Sequence, residues 1–112
     1  MEQIRQRKIE YLKHRRNTEE IAPIEINGAI FDFDETAQMR LLWAREYMER
    51  NNVAGIPWTT ATNETAVITV ESINSLIDAA AVRSNAAHIK YRSLLEQVKS
   101  ANSYNAVAAV EW

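Results

Sequence analysis

The side chains that could do chemistry in this 112-residue chain are few. There is no cysteine, so thiolate chemistry and disulfides are excluded, and any metal site has to draw on carboxylates and the two histidines, His14 and His88. His14 lies in a basic stretch, a poor setting for a cation ligand. His88 has no acidic residue three or four positions away. Both read as surface or packing histidines. Gly28 and Gly55 are the only glycines, so no glycine-rich phosphate loop can be built. The serines Ser72, Ser75, Ser84, Ser93, Ser100 and Ser103 lack the strand-turn-helix setting of a nucleophile. What remains is the acidic pair Asp32 and Asp34, placed after the apolar run Ala29-Ile30-Phe31. Its simplest reading is structural: Asp34 opens a helix by accepting hydrogen bonds from orphan backbone N–H groups.

The run Ala29-Ile30-Phe31-Asp32-Phe33-Asp34-Glu35-Thr36 also resembles the first signature of the haloacid-dehalogenase phosphatases, an apolar strand followed by D-x-D-x-T. The resemblance implies a nucleophile at Asp32, an acid/base at Asp34 and a Mg²⁺ ion. Three features oppose it. The chain is too short for the doubly wound sheet that carries such chemistry. The later signatures are missing, since Lys90 and Lys99 fall in a helical pattern. Asn27-Gly28 makes the motif strand the second arm of a hairpin, where a buried parallel strand is required. The expectation is no catalytic residue, no cofactor and no metal.

The elements that position these residues follow from pattern. Residues 2–16 lack Gly and Pro and carry a thin apolar stripe, Ile4, Tyr11 and Leu12, which predicts a helix. Ile24-Glu25-Ile26, the turn pair Asn27-Gly28, and Ala29 to Phe33 predict a β-hairpin, because both turn residues tolerate positive φ. From Asp34, the spacing of Ala37, Leu41, Ala44 and Met48 predicts a core helix, its apolar face widened by Leu42, Trp43 and Tyr47 and stopped by Asn51, Asn52 and Gly55. Ile56–Thr60 and Thr65–Thr69 predict a second hairpin, with Trp58 as a core anchor beside Pro57. Thr69 can cap a last helix running to about Ala101; roughly thirty residues at 1.5 Å each span about 45 Å. The fold class is α+β: two short β-hairpins with three helices, the last one long. The expected division is a basic N-terminal helix, 1–20, and one small α+β domain, 21–112.

Charge is uneven. Residues 1–16 hold six Lys/Arg against two Glu, whereas residues 17–112 hold seven against thirteen acids, giving +4 and −6. An acidic body repels phosphate, so nucleic acid is disfavoured, and an arm docking on acidic protein or a solvated helix face accounts for the basic segment. No apolar stretch reaches membrane-spanning length, and the N-terminus has no secretory core. The chain is expected to be soluble and not exported by that route.

On the long helix, Ile73, Ile77, Ala80, Ser84, Ala87, Tyr91, Leu94, Val98 and Ala101 recur in steps of three and four. A helix longer than its domain needs leaves apolar surface over, so Ile73, Ile77, Ala87, Tyr91 and Leu94 are candidate interaction residues, together with the terminal Trp112. The competing arrangement folds the basic N-terminal helix back along the same seam. The structural residues are Asn27, Gly28, Asp34 and Trp58.

From Ile24 to about Val98 the order of motifs resembles a domain family of unknown function common in tail and tail-fibre proteins of tailed phages. The matching features are Ile26-Asn27-Gly28, Phe31 to Thr36 with Arg40, Ile56-Pro57-Trp58-Thr59-Thr60-Ala61, and the Ala-rich helix from Ile68-Thr69-Val70-Glu71 with His88 and Arg92. The resemblance implies a structural virion tail protein that contacts other phage tail proteins as a homo-oligomer or hetero-assembly, present in the host cytoplasm during assembly. A tail-fibre assembly chaperone using the same surfaces is the alternative.

Overall fold

The computed structural model describes residues 1–112. Its elements, in order, are α1 (Glu2–Glu20), β1 (Ile24–Ile26), β2 (Ala29–Phe31), α2 (Glu35–Asn51), β3 (Ile56–Thr59), β4 (Thr65–Ile68), α3 (Val70–Ser100) and α4 (Tyr104–Ala108). The α+β class and both hairpins are as the pattern predicts. No helix is long and apolar enough to cross a membrane.

The chain divides into two compact units, residues 21–82 and residues 1–20 with 83–112. This differs from the sequence expectation, because the end of the chain joins the N-terminal helix and not the hairpins. The helix α3 passes from one unit to the other between Val82 and Arg83.

In the 21–82 unit, β1 and β2 pair antiparallel with Ile24 opposite Phe31 and Ile26 opposite Ala29. Asn27 and Gly28 take φ of 51° and 84°, the left-handed values a type I′ turn requires at both positions. β3 and β4 pair antiparallel with Ile56 opposite Ile68 and Thr59 opposite Thr65. Their loop closes through Thr60 N–H to Glu64 O, 2.8 Å, and Glu64 N–H to the Thr60 hydroxyl, 3.1 Å, which satisfies the buried Thr60. Asn63 supplies the left-handed residue of this loop, with φ 61°. An isolated two-stranded hairpin is marginal in water. Here the two are joined by the Ala61 N–H to Ile30 O bond, 2.8 Å, and share a core of Ile24, Phe31, Phe33, Leu41, Ala44, Met48, Ile68, Ile73 and Leu76.

The caps at the starts of α2 and α3 are local. Thr69 Oγ1 accepts from the Ser72 N–H and Ser72 Oγ accepts from the Thr69 N–H, each 3.1 Å, a reciprocal capping box with serine in the usual Glu/Gln position. At the far end of α2, Asn52 is left-handed and donates its N–H to Met48 O.

The other unit packs Leu12, Tyr91, Val98, Val107 and Val110, with Ile4, Ile9, Leu94, Leu95, Ala101 and Trp112 at its margin. α1 ends at Glu20, the end of the expected 1–20 N-terminal helix and four residues past the 2–16 stretch that carries its apolar stripe. Thr18 Oγ1 donates back to His14 O at 2.8 Å, a bond that occupies a residue of low helix propensity without breaking the turn. α4, which no periodicity predicted, starts at Ser103, whose Oγ accepts from the Ala106 N–H at 3.1 Å.

Candidate functional site

At the junction of β2 with α2 the backbone alternates. Phe33 is buried, while Asp32 and Asp34 on either side of it are exposed. Asp34 Oδ1 accepts from the Ala37 N–H at 2.8 Å, and its extended backbone (φ −67°, ψ 174°) is that of an N-cap. Gln38 Nε2 reinforces the junction by donating to Phe33 O at 2.9 Å. Asp32, Asp34, Thr36, Arg40, Trp58 and Thr59 line a cleft of 170 Å³ here. That is below the roughly 300 Å³ at which small-molecule pockets begin. The Arg40 guanidinium lies 4.9 Å from the centre of the Trp58 ring and covers that face of the indole. The strand carrying the two acids belongs to a two-stranded antiparallel sheet, not to a buried parallel one. No group of three or more His, Cys, Asp or Glu is placed to hold a metal ion.

Trp58 is half-buried, not enclosed: it packs on the margin of the core with Arg40 over its ring. Where the sequence expects a core anchor, the indole packs against the core cluster and keeps one face under Arg40. Asp34 does cap its helix. Asp34→Ala should lower stability by about 0.5–2 kcal/mol and Asp34→Asn by much less, because asparagine retains the accepting oxygen. Thermal melts of the two variants check this, and equal losses would point to a role for the negative charge itself.

The interaction residues read from the seam of α3 are occupied within the chain. Ile73, Ala87 and Tyr91 are buried, and Ile77 and Leu94 are half-buried against the two cores. Trp112 docks: its Nε1–H donates to Glu19 Oε1 at 2.9 Å, and Lys90 Nζ sits 4.7 Å from its ring centre. The reason is the fold-back of α1, which covers the second half of α3. Arg16 stacks on Tyr91 at 4.6 Å, His88 Nε2 is 2.6 Å from Glu20 Oε1, and Ser84 Oγ donates to the same Glu20 oxygen at 3.1 Å. Burial draws the Arg83 guanidinium below its ordinary value, with Glu19 and Glu20 acting in the opposite direction.

Much of the basic charge of α1 is also used internally. Arg5 Nη2 donates to Ala101 O at 2.8 Å, beyond the end of α3, and Lys8 Nζ donates to Val110 O at 2.9 Å and Ala108 O at 3.3 Å, at the end of α4. Cations at carbonyl-rich helix ends satisfy orphan acceptors and complement the dipole. The +4 of the segment is thus partly a set of caps.

On α2 a cluster of large apolar side chains is left open. Leu41, Ala44 and Met48 are buried, whereas Met39, Leu42, Trp43 and Tyr47 are 52, 44, 62 and 50% exposed. Sequence pattern assigned Leu42, Trp43 and Tyr47 to a widened core face. The structure reverses this, because the hairpins and α3 cover one side of α2 only. The available signal was the width of the apolar arc: the two sets of residues occupy opposite sides of the helix, which one packing face cannot bury.

Residues 3–111 match the family described as Domain of unknown function (DUF4376), and the chain belongs to that family. No curated protein and no solved structure matches it.

Proposed function

We propose that the protein is a structural component of a bacteriophage tail that acts through protein–protein contacts and not through catalysis. It would assemble in the host cytoplasm and reside in the virion. The observation that carries the contact role is the outer face of α2, where four large apolar side chains stand together in water. A contiguous apolar patch of this kind marks a surface meant to be covered. The tail assignment draws on the resemblance of the motif order from Ile26-Asn27-Gly28 to the α3 start, and membership in a family of unknown function is compatible with it. The cleft at Asp32 and Asp34 favours a structural use of both acids, since one is a cap and the opening is small.

Quantitative mass spectrometry of purified particles tests this directly. A fixed copy number in mature virions is expected. Presence in the infected cell with absence from mature particles would transfer the role to an assembly chaperone. Turnover of a phosphate ester with Mg²⁺, lost in Asp32→Asn, would overturn the contact reading in favour of the phosphatase.

A further inference from the structure

We infer that the outer face of α2 is a self-association surface, pairing antiparallel with α2 of a second copy about a two-fold axis at Trp43. This rests on the reading of that face as a contact surface and names its occupant. Met39, Trp43 and Tyr47 follow one another at four-residue spacing, and Leu42 flanks them, so the apolar stripe is centred on Trp43. A two-fold axis at that residue sets like surface on like surface, as a closed dimer requires. It brings Trp43 against its own copy and Met39 level with the second copy's Tyr47.

Charge selects this direction. With Trp43 on the axis, Glu35 in the first turn lies level with Asn51 of the second copy, one residue from its Arg50 in the last turn. A parallel pairing would instead set Arg50 on Arg50 and Glu35 on Glu35, and would align the two helix dipoles unfavourably. Within one chain Arg50 reaches only Glu46, at 3.7 Å, and both are well exposed. Such a contact is weak and easily exchanged. Seventeen residues make a helix about 25 Å long, enough for shallow ridges-into-grooves packing near 20° with several turns in contact. Aromatic residues at the centre of a small interface carry most of its binding.

Sedimentation velocity on the full chain tests the pairing. The wild type is expected at twice the chain mass of 12.8 kDa. Trp43→Glu should raise the dissociation constant about a hundredfold or more, with far-UV circular dichroism unchanged because the residue faces solvent in the single chain. Arg50→Glu should weaken the dimer about tenfold, and adding Glu35→Arg should restore it, since the swapped pair regains its opposite charges. A wild type that stays at 12.8 kDa at every soluble concentration overturns self-association, as does a dimer that persists in Trp43→Glu. If that monomeric wild type enters particles and Trp43→Glu does not, the face binds a different protein, so the contact role survives while the self-pairing falls.

Discussion

Ala87→Glu should destroy the packing of α1 on α3. Ala87 is 2% exposed on the part of α3 that α1 covers, one turn from Tyr91 and beside His88. A glutamate there needs space in a closed interface and puts a carboxylate out of water. Overpacking costs about 1–3 kcal/mol. An unpaired buried charge adds several more unless the group takes up a proton. The Glu20 carboxylate, held by His88 and Ser84 on the same stretch of α3, repels a second negative charge and favours that protonation, which still leaves a polar acid group in the closed interface. Hydrogen exchange should show α1 and α4 losing protection, as α1 is held through Leu12 and the C-terminal segment through Val107 in α4 and Val110 just beyond it. The control is Ala87→Ser, a near-isosteric change expected to cost about 1–2 kcal/mol, within the usual range of point substitutions. A folded Ala87→Glu with undiminished protection would mean that this seam faces a partner after all.

That variant also separates what was legible in the sequence from what was not. Elements set by neighbouring residues were readable: Asn27-Gly28 dictates its turn by backbone conformation, and Asp34 and Thr69 act on N–H groups within three residues. The partner of each apolar face was a different matter. The stripe on α3 and the outer stripe on α2 look alike as sequence, since both recur at helical spacing. Only the path of the chain decides that Tyr91 and Val98 are packed with Leu12 of α1 while Trp43 stays exposed. The association of residues 1–20 with 83–112 depends on contacts roughly a hundred residues apart, such as Arg5 with Ala101 and Lys8 with Val110. No local pattern encodes them. α4 is shorter than two helical turns and so too brief to show periodicity; Ser103 was its one sign.

The candidate cleft was half legible. The D-x-D-x-T spelling marks Asp32 and Asp34, and the Asn27-Gly28 turn before them sets the pair at a hairpin-to-helix junction. An aromatic beside a strand start gives no measure of how much the rest of the fold covers it, so the depth of Trp58 is not encoded locally. Arg40 belongs to a motif in the sequence, but its stacking on Trp58 is a property of two elements meeting.

Phe31→Ala should cost about 3–5 kcal/mol, the usual range for truncating a buried aromatic. Phe31 is nearly fully buried and sits at the end of a three-residue strand, opposite Ile24. The first hairpin has only three register pairs, too few to stand alone, so its place depends on the side chains it sends inward: Ile24, Phe31 and Phe33. Removing the ring leaves a cavity against the core of the 21–82 unit that so short a strand can only partly collapse. The loss should spread in a definite direction. Ile30 O receives the Ala61 N–H that joins the two hairpins, and the chain from Phe31 leads in three residues to the Asp34 cap. Hydrogen exchange should therefore rise first at Ala61 and Ala37, before the middle of α2 around Leu41 and Ala44, where burial remains intact. Phe31→Leu keeps most of the volume and should cost about 1–1.5 kcal/mol. If Phe31→Ala melts like the wild type, the hairpin is held by its turn and its bonds alone, and the cleft at Asp32 is not anchored by the core beneath it.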